Sequence, residues 1–235
     1  MIPIPLHDHI RRQTFWFFTL LIIVANVLAF LFEISLGQNV DRLVFYFGII
    51  PIRYTNPHLV AQAGGPGLLL PIFTSMFLHG GWLHLLGNML FLFVFGRSIE
   101  DRFGHWKFLL LYFLSGLGGA LTHIALNAGS RTPTIGASGA IAGVLGAYFI
   151  SYPAARITTL FPIFFFFWTI EVPALLLLGY WFFIQFFTGF QMQAIQTATR
   201  GGVAWWAHVG GFLVGLALAA AFRPRRRRPV VEVLS

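Results

Sequence analysis

The sequence contains no cysteine and few charged residues. Without cysteine, the chain can form neither disulfides nor thiolate metal sites, and it has no thiol nucleophile. Only 9% of its 235 residues are charged, whereas soluble proteins carry roughly 25%. Hydrophobic residues make up 57% and the mean hydropathy is +0.79. This composition excludes an ordinary soluble domain and predicts a polytopic membrane protein that lies in a lipid bilayer.

The basic residues are concentrated near the end of the sequence. The net charge of +8 would suggest a nucleic-acid partner in a soluble protein, but five of the fifteen basic residues are Arg223 and the arginines at 225–228. They follow the last apolar segment directly. A basic cluster in this position is typical of a topology anchor at an anionic membrane face. We therefore expect no nucleic-acid partner and assign 223–235 to a basic cytoplasmic tail.

Apolar segments of about 20 residues predict membrane-spanning helices. Residues 1–13 are predicted to form a cytoplasmic N-terminal segment, and 14–222 a six-helix membrane domain. The first apolar run has no small-residue cleavage pattern behind it, so we interpret it as a signal anchor. The predicted all-α bundle consists of segments 14–32, 80–97, 107–127, 135–152, 172–190 and 203–222.

Two connections between these helices are unusual. The first outer loop, 33–79, is long, with an amphipathic part at 40–54 and a Gly/Pro tract at 63–67. We expect this loop to lie on the membrane surface. Residues 157–170 contain a phenylalanine run too short to span alone, and we expect a cytoplasmic-face or re-entrant piece there. Glu171 would then lie at the inner interface, at the start of helix five.

The distribution of basic residues predicts the orientation. With the N-terminus in the cytoplasm, eleven basic residues fall on the inner side and four on the outer side. This asymmetry follows the positive-inside rule. We therefore predict a multi-pass protein of the cell (inner) membrane with both termini cytoplasmic.

Polar residues in three of the predicted helices share one depth. Helices two, four and six all begin at the outer face, and Asn88, Ser138 and His208 come about nine, four and six residues after those starts. At 1.5 Å per residue, all three fall in the outer third of the bilayer. His84 lies four residues before Asn88 on the same helix face, so the two can bind one oxygen atom. His79 and His84 are five residues apart and do not share a face on a regular helix, so no metal site is expected.

Small residues follow both the serine and the histidine. The face of Ser138 continues through Ala142 and Gly146, and the face of His208 continues through Gly211 and Gly215. Such stripes let helix backbones approach closely, which serine and imidazole need for proton transfer. Glu33 and Asp41 are the only acids predicted on the outer side. We therefore expect a Ser-His dyad whose imidazole is oriented by packing rather than by an aspartate.

Four short sequence motifs contain or accompany these residues. They read HGGWLHLLGN at 79–88, EDRFG at 100–104, GASG at 136–139 and AHVGG at 207–211. From about residue 70 to residue 222, they resemble, in the same order, the motifs of the rhomboid family of intramembrane serine proteases. Two features depart from the family. Ala142 stands where many members have an aromatic residue that packs on the histidine, and the tryptophan-arginine pair of the first outer loop is not visible.

The resemblance implies roles for four residues. Ser138 would be the nucleophile and His208 the general base and then acid, and His84 and Asn88 would form the oxyanion hole with the backbone amide of Ser138. It also implies that the substrates are single-span transmembrane proteins, cleaved near the outer membrane boundary without a cofactor.

A buried site of this kind must be reached sideways from the lipid. Helix five and the following loop, 188–202, are our candidate gate, because the loop contains glycines and only one charge. On the helix, Trp181 and Phe182 are the predicted gate residues, since bulky rings there can obstruct the passage between helices two and five.

Two other functions fit a polytopic chain. One is a catalytically silent rhomboid-like binder or chaperone of membrane clients, although such members generally lack the serine or the histidine. The other is a transporter, although the sequence has no paired broken helices and no charged pathway within the membrane.

Overall fold

A computed structural model describes residues 3–163, 166–194 and 204–222. The predicted tail at 223–235 and the part of the gate loop at 195–203 lie outside these ranges. Helices dominate, which confirms the predicted polytopic helical fold. The α-helices in these ranges are α1 (Phe17–Ser35), α2 (Val40–Phe47), α3 (Ile52–Thr55), α4 (Pro57–Thr74), α5 (Trp82–Phe91), α6 (Arg97–Phe103), α7 (His105–Leu126), α8 (Ser138–Ser151), α9 (Ala174–Ala194) and α10 (Trp205–Ala221).

Each predicted apolar segment contains a helix, with shifted bounds. The second segment continues through a π-helical turn, Leu92–Gly96, that joins α5 to α6. Within the described residues, five helices are long and apolar enough to cross a membrane, whereas α8 and α10 are shorter. The five are Phe17–Ser35, Pro57–Phe77, Trp82–Phe103, His105–Leu126 and Ala174–Gln191.

The first outer loop contains α4, which the sequence analysis did not predict. Asn56 caps this helix by accepting hydrogen bonds from the backbone of His58 and Leu59 at 3.0 and 3.3 Å. Gly64 interrupts it with a φ of +64°, a left-handed conformation that glycine adopts without steric cost. The hydroxyl of Tyr54 donates to the carbonyl of Leu68 at 2.9 Å, across this break. The chain therefore folds back on itself.

The residues on either side of α4 contact the connection between α7 and α8. The backbone N–H of Ile52 donates to Ser130, and that of Gly136 donates to Ser75. Both ends of α4 thus lie at the same end of the bundle, which we call the serine end because Ser138 is there. This arrangement agrees with a loop at one membrane surface. The number of six crossings stays a prediction.

A three-stranded antiparallel sheet covers the opposite end of the bundle. Its strands are β1 (Ile4–Asp8), β2 (Arg156–Ile163) and β3 (Phe166–Pro173), in the order β1-β2-β3. The β-branched and aromatic residues of this segment favour strands, and β1 supplies a partner for β2 that is distant in sequence. The described part of the phenylalanine run, Phe166 and Phe167, begins strand β3.

Glu171 belongs to strand β3 and does not start a helix, so that expectation is wrong. Helix α9 begins at Ala174. The carboxylate of Glu171 lies 3.3 Å from the guanidinium of Arg156 and 3.5 Å from the ring of His9. These contacts link β3 to its neighbour and to the N-terminal segment, so Glu171 has a structural role.

Buried acids at this end hold the N-terminal segment in place. Glu100 is fully buried and accepts hydrogen bonds from the backbone of Phe18 and Thr19 and from the Thr19 hydroxyl, at 2.7–2.8 Å. It thereby satisfies N–H groups that the first turn of α1 leaves without partners. His105 lies 2.6 Å from the same carboxylate. Glu100 therefore joins α1 to the turn between α6 and α7.

Replacing Glu100 by alanine should destabilise the protein. The substitution leaves the buried donors of α1 without an acceptor, which costs about 3 kcal/mol in the free energy of unfolding. Unfolding in mixed detergent micelles measures this change. The control is Asp41→Ala at an exposed site, where the change should stay within about 0.5 kcal/mol. Equal stabilities of the two variants would contradict this assignment.

Candidate active site

Ser138 and His208 are in hydrogen-bond contact. Ser138 is the first residue of α8, and His208 lies in the first turn of α10. The distance from Oγ of Ser138 to Nε2 of His208 is 2.8 Å. His208 is buried at 7% exposure. The structure thus brings together two residues that are 70 positions apart, as the sequence analysis predicted.

Glycines of α8 and α10 make this contact possible. A Cβ on Gly211 would overlap the carbonyl oxygen of Gly139, and one on Gly215 would overlap that of Gly143. The two backbones therefore lie in direct contact, as small-residue faces allow. The predicted α10 face through Gly211 and Gly215 is confirmed.

The glycines of α8 that meet the backbone of α10 are Gly139, Gly143 and Gly146, of which the prediction named only Gly146. Because α8 begins at Ser138, the serine occupies the helix end beside the contact face. Its hydroxyl then reaches His208 sideways. Gly146 belongs to both the predicted face and the observed one.

Gly136 brings His84 close to Ser138. Its φ is +126°, which allows the turn that precedes α8. A Cβ at this position would lie 2.7 Å from Nε2 of His84 and 3.7 Å from Oγ of Ser138. The backbone N–H of Gly80 donates to Nδ1 of His84 at 3.3 Å, so the proton of the neutral ring is on Nε2. His84 therefore presents a hydrogen-bond donor beside the serine.

Asn88 supplies a second unused donor. It follows His84 by one helical turn on α5, as predicted, and is 8% exposed. Its Nδ2 has no hydrogen-bond partner among the residues that the structure describes. A buried donor without a partner is costly and is uncommon except at functional sites. An amide of this kind suits the binding of an oxyanion.

His79 lies before α5. The argument that His79 and His84 point to different faces of one regular helix therefore does not apply. The helix begins at Trp82, and the ring centroids of His79 and His84 are 5.0 Å apart. Burial and nearby His84 lower the pKa of His79 to about 4, so the ring is neutral at pH 7. Glu33 accepts the backbone N–H of His79 at 3.1 Å. Within the described ranges, no three His, Asp or Glu side chains form a metal-binding group.

Two side chains of α9 support the imidazole of His208. Oε1 of Gln185 lies 2.6 Å from Nδ1 of His208. The ring of Trp181 lies 5.8 Å from the histidine ring at an interplanar angle of 36°. Trp181 thus supplies the aromatic contact that Ala142 cannot make. The prediction of an imidazole oriented by packing is incomplete, because it missed the hydrogen bond to Gln185.

The two predicted gate residues have different surroundings. Trp181 contacts His208, as described above, and Phe182 packs on Phe212 with ring centroids 4.6 Å apart. Helix α9 packs against α10 and α8. Their role as a gate stays a prediction.

Comparisons with known proteins agree with this geometry. A family model for the Rhomboid domain matches residues 66–225. The chain belongs to the rhomboid family. The resemblance inferred from its motifs is thereby confirmed, and the chain is a multi-pass membrane protein.

Three curated rhomboid relatives illustrate the similarity. RHOMBOID-like protein 6, mitochondrial, of Arabidopsis thaliana is 30% identical over 88% of this chain and 70% of its own length. Rhomboid protease GluP of Bacillus subtilis is 37% identical over 55% of this chain. RHOMBOID-like protein 5 of Arabidopsis thaliana is 41% identical over 32% of this chain. The chain spans only 24% of GluP and 25% of RHOMBOID-like protein 5.

Proposed function

We propose that this rhomboid is an intramembrane serine endopeptidase that cleaves single-span transmembrane proteins near the outer membrane boundary. The observation that carries the proposal is the 2.8 Å contact between Ser138 and His208. Both side chains lie at the helix ends where the family motifs predict a nucleophile and a base. The relative named rhomboid protease supports the same class of reaction.

In the proposed mechanism, His208 removes the proton of the Ser138 hydroxyl as the oxygen attacks the scissile carbonyl carbon. The carbonyl oxygen becomes an oxyanion in the tetrahedral intermediate. The imidazolium of His208 then gives its proton to the leaving amine, and an acyl-enzyme forms at Ser138. Water, deprotonated by His208, hydrolyses this ester. No cofactor takes part.

Three donors are available to the oxyanion in this mechanism. The first is Nε2–H of His84, next to Gly136, and the second is the unpaired amide of Asn88. The third is the backbone N–H of Ser138. Because Ser138 is the first residue of α8, this N–H has no acceptor within the helix. Donors fixed in a site of low dielectric stabilise developing charge strongly.

The proposed substrate reaches the serine from the lipid, between α5 and α9. A small cavity of about 30 Å³ lies next to Ser138 and is lined in part by Met76, Gly116, Ala120 and Ala140. Trp181 and Phe182 remain the proposed gate. Because Trp181 also contacts His208, movement of α9 would affect substrate access and the base together.

We further propose that the protein lies in the cell (inner) membrane with both termini cytoplasmic. Strand β1 pairs with β2, so the N-terminal segment and the α8–α9 connection occupy the same end of the bundle. The basic residues favour the cytoplasm for that end. The charge pattern supports the orientation, and the choice of the cell membrane is part of the proposal, since two relatives are named as mitochondrial.

Replacing Ser138 or His208 by alanine should each abolish cleavage of a single-span substrate in liposomes. The two groups act as one unit, so the double variant should be no less active than either single one. A fluorophosphonate should label the wild type but not Ser138→Ala. The matched control is Ser151→Ala, at the other end of α8, which should remain fully active.

A rhomboid that only binds membrane clients would give a different result. It would bind the substrate without cleaving it and would not react with the fluorophosphonate. Near wild-type turnover by Ser138→Ala would show that the nucleophile is another residue.

Replacing Asn88 by alanine should lower turnover by about 10²-fold or less. One oxyanion donor contributes about 2.7–4 kcal/mol at most, and two other donors remain. Single-turnover kinetics measures the chemical step directly. Asn39→Ala, at an exposed position, is the control. If folded Asn88→Ala were as inactive as Ser138→Ala, Asn88 would have a role other than oxyanion binding.

A further inference from the structure

We propose that Gln185 is a positioning residue that holds the imidazole of His208 in the tautomer required for catalysis. It would take the place that an aspartate occupies in a three-residue protease site. This inference rests on the proposed function, because it assigns a role to a neighbour of the proposed base. The sequence motifs do not include Gln185.

The hydrogen bonds of His208 determine its tautomer. Nδ1 lies 2.6 Å from Oε1 of Gln185, and Nε2 lies 2.8 Å from Oγ of Ser138. An amide oxygen only accepts hydrogen bonds, so the proton of the neutral ring must be on Nδ1. The lone pair of Nε2 is then free to accept the serine proton. In the other tautomer Nε2 carries the proton and cannot act as the base.

Helix α9 fixes the ring in two ways. Trp181 and Gln185 are four residues apart and share one face of the helix. Trp181 packs against the ring and restricts its plane, whereas Gln185 restricts rotation within that plane. Gln185 is itself buried at 7% exposure. Neither side chain replaces the other, because packing alone does not distinguish the two tautomers.

A neutral acceptor suits the position of this site in the membrane. An ionised carboxylate loses several kcal/mol of hydration when it is buried at low dielectric, and acids within membrane helices are costly. Among the residues that the structure describes, the titratable groups that act on His208 are His84 and His123, neither of which provides a negative charge. The amide oxygen orients the base without placing an unpaired charge in the bilayer.

The test compares Gln185→Met, which keeps the side-chain length but removes the acceptor, with Gln185→Glu, which keeps an acceptor oxygen. The Met variant should lose about 10-fold to 10²-fold in kcat with little change in KM, since substrate contacts remain. The Glu variant should recover at least a tenth of wild-type kcat. Gln38→Met, the same substitution at an exposed position outside the candidate gate, should match the wild type.

A second readout is the tautomer of His208, measured by ¹⁵N NMR of the micellar protein with the signal assigned through His208→Ala. The wild type should carry the proton on Nδ1, and Gln185→Met should show a mixture. A wild-type proton on Nε2 would overturn the inference, as would a folded Met variant with wild-type kcat. If the wild type neither cleaves nor reacts with fluorophosphonate, the proposed function fails, but the tautomer still decides the role of Gln185.

Discussion

The contact between the backbones of α8 and α10 is the constraint on which the site depends. A side chain at Gly211 or Gly215 would overlap carbonyl groups of α8, so these positions set the distance between the two helices. A third helix joins them, because a Cβ on Gly119 of α7 would lie 2.5 Å from the carbonyl oxygen of Ala207. Such close packing fixes the ends of α8 and α10 relative to each other, and Ser138 and His208 lie at those ends.

Most of the buried acids that the structure describes lie at the end of the bundle opposite the serine. Asp8, Glu100 and Asp101 are buried there. Asp8 accepts a hydrogen bond from the guanidinium of Arg12, whereas Glu100 and Asp101 accept from backbone N–H groups and threonine hydroxyls of the N-terminal segment and α1. The polar groups next to Ser138 are imidazoles and amides, and one buried acid at this end, Glu33, accepts the backbone N–H of His79. This division agrees with the cost of burying ions far from water. Chemistry at the serine end would therefore rely on oriented neutral dipoles.

Sequence patterns predicted the features that depend on local composition. Apolar length located the helices, and the motifs pointed to Ser138 and His208, which are in contact, and to His84, which lies beside Gly136. Features that depend on distant partners were missed. Strand β2 pairs with the N-terminal β1, and the fold-back of α4 depends on one positive φ at Gly64. Gln185 carried only a weak signal, a polar residue in an apolar helix, and its contact with His208 depends on how α9 packs.

The central claim is that glycine contact between α8 and α10 brings the serine and the imidazole into reacting distance. The most direct test is the rate at which a fluorophosphonate modifies Ser138 in folded Gly211→Ala. A displacement of about 1 Å can reduce rates by about 10²-fold, so we predict that Gly211→Ala lowers the labelling rate by about this factor. The control is Gly87→Ala, at a position with open space around it, which should react at the wild-type rate. Equal rates for Gly211→Ala and the wild type would contradict the claim.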